Sequence, residues 1–97
     1  MTVIWLPRAK AELRRQAKWL EENRGHRAVL TYFEQVHDAV ERLRRGELVL
    51  YRLYDAARNI RYLPVNEQTN LYYRPSADFI ELLTFFNTRQ DPDKLKL

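Results

Sequence analysis

The chain has 97 residues, with 17 lysines and arginines, 13 aspartates and glutamates, and no cysteine. That length suits one domain, residues 1–97, and the missing thiols exclude disulfides, thiol catalysis and cysteine-ligated zinc. Apolar residues at 45% and aromatics at 12% mark a globular composition, and a net charge of +4 carried mostly by arginine favours planar, bidentate contacts.

Val3, Ile4 and Trp5 are good strand formers, so residues 2–6 read as a first strand that Pro7 ends. From Arg8 to Asn23 the residues Ala9, Leu13, Ala17 and Leu20 recur at helical spacing, with charged residues on the other faces. Asn23-Arg24-Gly25 supplies a stop and a corner. A second helix is expected from His26 to Arg45, with Val29, Tyr32, Phe33, Val36, Ala39, Val40 and Leu43 as its stripe and Gly46 after it. Two amphipathic helices joined by so short a link form an antiparallel hairpin.

The second half changes character. Residues 48–54 are apolar and read as a connector or a short strand. Arg58 to Val65, Thr69 to Arg74 and Phe79 to Phe86 read as three strands, joined by Asn66-Glu67-Gln68 and Pro75-Ser-Ala-Asp78. The expected fold is α+β, in the order β-α-α-β-β-β, with an antiparallel sheet packed against the N-terminal two-helix hairpin. Residues 90–97 form a short C-terminal tail that packs or frays. The apolar N-terminal run is too short for a signal sequence, and nothing approaches a membrane span, so a cytoplasmic protein with no membrane partner is expected.

Few residues suggest chemistry. His26 and His37 are about 16 Å apart along one helix, too far to share a metal, and no metal or cofactor is expected. Ser76 is the lone serine and sits in a turn. The arginines of the second half are more informative. Arg58 and Arg61 begin one strand, Arg74 ends the next and Arg89 follows the last, so a meander can gather them at one end or edge of the sheet. Interleaved with tyrosines such as Tyr72, such a cluster suits phosphates and bases, or an acidic protein segment. Tyr72 and Tyr73 point to opposite faces, so one at most joins any platform. The residues Trp19, Leu48, Val49, Leu50, Tyr51, Leu53 and Tyr54 exceed what one sheet face needs, which points to a protein-binding surface.

These segments resemble the RelE/ParE toxin superfamily of bacterial toxin–antitoxin systems. The carriers are Trp5-x-Pro7-x-Ala9-x-x-x-Leu13, the helix Ala28–Leu43, Arg61-Tyr-Leu-Pro-Val65 followed by Leu71-Tyr-Tyr-Arg74, and Ile80-Glu-Leu-Leu-Thr-Phe-Phe86 followed by Arg89-Gln-Asp-Pro92. The resemblance is closer to the ParE branch. It implies a growth inhibitor that binds DNA gyrase, is neutralised by a cognate antitoxin and sits in a toxin–antitoxin hetero-oligomer. Target contacts then fall to Arg61, Tyr72, Arg74, Arg89 and Lys94, and antitoxin contacts to Trp19, Tyr32, Leu48, Leu50, Tyr51 and Leu53. The RelE branch implies instead a ribosome-dependent endoribonuclease acting on messenger RNA, built on Arg58, Arg61, Arg74 and Arg89. Its third basic position falls at Asn70, and its terminal histidine or tyrosine falls in the region of Asn87 and Leu95. A third reading is an inactive member that only binds antitoxin.

The charge is uneven. Residues 1–50 hold ten basic and seven acidic side chains, a net of +3, and residues 51–97 hold seven and six, a net of +1. The excess therefore lies mainly on the helices.

Overall fold

The computed structural model describes residues 1–47 and 52–97. Strand β1 (Thr2–Trp5) leads into helix α1 (Pro7–Arg24) and helix α2 (His26–Arg44). Strands β2 (Arg52–Asp55), β3 (Ile60–Pro64), β4 (Thr69–Pro75) and β5 (Phe79–Asn87) follow, and a 3-10 turn (Pro92–Lys94) closes the chain. Pro7 opens α1, where its missing N–H costs nothing. Gly25 separates the helices at φ 89°, a conformation that side chains with a Cβ rarely adopt, and its N–H closes α1 onto the Leu20 carbonyl at 2.9 Å.

The sheet runs β1-β5-β4-β3-β2. β3 to β5 form the expected antiparallel meander. Two features go beyond it. Of the two alternatives for residues 48–54 the strand holds for the described part, since β2 pairs antiparallel with β3, and β1 lies parallel to β5, pairing Val3 with Ile80 and Trp5 with Leu82, so the sheet is mixed. No turn links β1 to β5, so local turn chemistry carries no sign of that pairing. What places β1 there is burial: Trp5 packs on Phe85, ring centroids 5.8 Å apart, beneath the hairpin.

The main core lies between the hairpin and the sheet. Tyr32, Val36, Ala39, Val40 and Leu43 of α2 meet Leu63, Leu71, Tyr73, Ile80, Leu82 and Phe85. Most of the α2 stripe is buried as expected, but Phe33 is 43% exposed, because it lies beyond the arc that faces the sheet. On β5 the simple alternation fails. Tyr72 pairs with Thr84 and Tyr73 with Leu82, which leaves Leu83 as an extra, bulged residue. The bulge shifts the phase, so Leu82 and Phe85 face the helices while Leu83 and Phe86 face the other side.

That other side carries a second, smaller core of Ile60, Tyr72, Leu83 and Leu95. Its cover is the tail. After β5 the chain turns, makes the 3-10 turn with Asp91 accepting from the Asp93 N–H at 2.9 Å, and folds back so that Leu95 is buried and Leu97 packs alongside. Arg8 and Arg58 donate to the main-chain oxygens of Lys96 and Leu97 respectively.

Candidate functional site

The arginines of the second half do not form one cluster. Arg74 pairs across the sheet with Glu81 near the Pro75–Ile80 end, whereas Arg89 follows Asn87, which pairs with Thr69 at the opposite end. A seven-residue strand separates those ends by roughly 20 Å. Arg61 lies near Arg74 along the sheet but on the other face. It is the cross-strand partner of Tyr73, whose ring is in the helix-side core, whereas its neighbour Tyr62 pairs with Tyr72 on the tail side. The expectation that Arg58, Arg61, Arg74 and Arg89 gather is therefore corrected. Meander topology brings strand ends together in alternate pairs, and one residue of phase decides the face.

Arg58 and Arg74 share the tail-covered face, and each has a carboxylate. Arg74 binds Glu81 through Nε at 2.9 Å and a second nitrogen at 2.8 Å. Arg58 Nε donates to Asp55 at 2.7 Å and its main-chain N–H to the same carboxylate at 3.2 Å. The Arg58 side chain and main chain together hold the Asp55 carboxyl below its ordinary value. Arg58, Arg74, Arg8 and Lys96 line one shallow hollow floored by Ile60, Leu83 and Leu97. Lys94 is exposed on the 3-10 turn, and Arg89 is exposed in the turn before it, its N–H on the Asn87 side chain at 2.8 Å.

Tyr72, expected to contact a target, is 6% exposed. It stacks on Tyr62 with ring centroids 5.2 Å apart and meets Tyr54 edge-on at the same separation. Burial raises its hydroxyl pKa. Aromatic neighbours on β2 and β3 fill the space a ligand ring would need, and Tyr54, 43% exposed, forms the rim instead.

The expected antitoxin residues also divide. Trp19 is 53% exposed on α1 and Leu53 is 49% exposed on the edge strand β2. Tyr32 is corrected: it is 3% exposed in the main core, and its hydroxyl donates to Gln16 Oε1 at 2.7 Å. Burial, with the Glu12 charge nearby, pushes that hydroxyl pKa well up. Its helical phase matches Val29 and Val36, which fixes it inward. Leu48, Leu50 and Tyr51, also expected there, lie outside the described residues. The stripe that sequence reasoning missed is Leu30 and Phe33 on α2, 50% and 43% exposed. Their spacing of three, off the phase of Val29, Val36 and Val40, was the available signal.

The histidines sit apart, with His26 against Glu21 at 3.3 Å and His37 beside Phe33. Among the described residues, no group of three or more histidines and carboxylates is placed to hold a metal ion, and no helix is long and apolar enough to cross a membrane.

Comparison with known proteins bears on this fold. A solved structure of the chromosomal ParDE toxin–antitoxin system from P. aeruginosa is similar at a TM-score of 0.75 and 16% identity, over 90% of this chain and 95% of that one. A YoeB/ParE toxin from Agrobacterium tumefaciens is similar at 0.62 and 11%, over 90% and 98%. At those identities the likeness is one of fold. No curated protein matches the sequence. The family model of the ParE toxin of the type II toxin–antitoxin system parDE matches residues 3–92. That span takes in both helices, β2 to β5 and all of β1 but Thr2, so the chain belongs to the ParE toxin family of type II toxin–antitoxin systems.

Proposed function

We propose that this toxin inhibits growth in the cytoplasm by binding DNA gyrase, and that its antitoxin silences it by covering apolar surface. The observation that carries the reading is the dispersal of the arginines. A nuclease must bring several basic groups and a proton-transfer group to one phosphate, within hydrogen-bond reach of the reacting atoms. Here Arg61 is on the helix side of the sheet, Arg89 is at the far end from Arg74, and Arg58 and Arg74 are spent on Asp55 and Glu81. Exposed cations spread over a surface suit a broad protein contact better than a reaction centre. Arg89 and Lys94, both exposed, supply the target contacts in this reading. Trp19, Leu30, Phe33 and Leu53, among the described residues the large exposed apolar ones outside the N-terminal strand and the tail face, supply candidates for the antitoxin surface.

The test is a paired assay on the purified toxin. Gyrase supercoiling and ribosome-dependent cleavage of messenger RNA are measured over the same concentration range. Loss of supercoiling with messages intact is the expected result. Cleavage at the ribosome with supercoiling untouched would transfer the chain to the nuclease reading, and no effect in either would favour an inactive antitoxin binder.

A further inference from the structure

A cleft of about 320 Å³ lies away from the tail-covered face, at the far end of the sheet, between the second half of α1, Tyr32 of α2 and the ends of β4 and β5. That volume is at the small-ligand end of binding sites. One wall is the exposed indole of Trp19, backed by Leu20. The lining carries no carboxylate. Its single cation, Arg15, is already engaged by Glu12.

The polar groups divide into two kinds. Some are used within the fold: Gln16 accepts from Tyr32 and donates to the Phe85 carbonyl, and Asn66 donates to Gln35 at 3.0 Å. These bonds fix the walls. The others keep donor and acceptor capacity. Gln90 places a carboxamide there, and Asn87 uses only its oxygen, on the Arg89 N–H, which leaves its amide nitrogen to donate. The cleft therefore combines one large exposed aromatic face, paired amide donors and acceptors, and a compensated charge.

We propose that this cleft binds an uncharged nucleobase, stacked on Trp19 and read along its edge by Asn87 and Gln90. Carboxamides match the alternating donors and acceptors of base edges, and an aromatic face accepts any base by stacking. Because Arg15 is neutralised by Glu12, the phosphate adds little. The cleft borders Arg89, assigned above to the target, and shares Trp19 with the antitoxin candidates; its test uses the toxin alone and reads base binding apart from either role.

Trp19 emission provides the readout, because Trp5 is packed against Phe85 and the Trp19→Phe variant isolates its signal. The four nucleosides, their 5′-monophosphates and a short mixed-sequence single strand are titrated against the purified toxin. Saturable quenching with a Kd of about 1 mM or tighter is expected, with nucleoside and nucleotide within about threefold of each other; Trp19→Ala, which lacks the reporter, is followed by ligand NMR line broadening and should bind about tenfold more weakly or worse. Saturation by the single strand alone, lost in Gln90→Ala, places the base in a strand and also supports the proposal. Three results overturn it: no saturable change with any probe, binding of nucleotides but not nucleosides, or unchanged affinity in the Asn87→Ala/Gln90→Ala double variant.

Discussion

The two faces of the sheet are closed in different ways. On one, two helices of 18 and 19 residues lay a continuous apolar stripe on residues from β1, β3, β4 and β5. On the other, the short C-terminal tail supplies one buried leucine, and the remaining cover is aromatic side chains leaning on each other. Hydrophobic stabilisation scales with the apolar area removed from water, so the helix side carries the fold and the tail side is the part that opens at low cost. The arginines follow the same division: Arg61 belongs to the first face, and Arg58 and Arg74 to the second.

The largest effect should come from the helix side. Leu43 and Leu82 are each fully buried there, and either leucine changed to alanine should cost about 2–5 kcal/mol, read by denaturant unfolding. If both cost under 1 kcal/mol, the main core is elsewhere. On the tail side, Leu95→Ala should cost only about 1–2 kcal/mol, because the segment can relax into the space. Its clearer signature is local. The amides of Lys94 and Leu95, bonded to Asp91 and Pro92, should lose hydrogen-exchange protection while those of β4 and β5 keep theirs. Equal loss across the sheet would mean that the two faces unfold as one unit.

Asn59 comes next. It holds φ 54° in the turn before β3 and donates to the Pro75 carbonyl at 3.2 Å. Asn59→Ala should cost about 1 kcal/mol through strain and the lost bond, and Asn59→Gly should recover the part due to strain. The smallest effect is that of the exposed pair Asp55–Arg58. Asp55 titrates below its ordinary value, so its contribution is complete above that value and disappears as pH falls through the lowered one. In Arg58→Ala the carboxyl should return toward the ordinary range, as followed by its NMR titration. A titration unchanged by that substitution would mean the pair is not formed in solution.

The helices were legible because their signals are local: Pro7 and Gly25 mark boundaries, and residues 29, 32, 36, 40 and 43 repeat at helical period. The three strands of the meander were legible for the same reason, down to the turns at 66–68 and 75–78. What the residues did not disclose depends on long-range pairing or on phase. The parallel β1–β5 contact has no turn to announce it. The bulge at Leu83 changes which of Leu82 to Phe86 face inward, and no residue there marks it. Arg61 and Arg74 looked like neighbours because they end adjacent strands, and only the register shows that they face apart. The role of the tail was half legible: Leu95 and Leu97 announced apolar packing, but not its place over Tyr72.

The central claim is that this toxin acts by occupying gyrase rather than by turning over a substrate. Titration of a fixed amount of gyrase with the purified toxin, scored as residual supercoiling, tests it directly. Binding predicts a loss that is linear in toxin and ends near a fixed stoichiometric ratio, without progressing on longer incubation. Loss of function that continues with time at a small fraction of the gyrase concentration, or supercoiling that survives excess toxin, would contradict it.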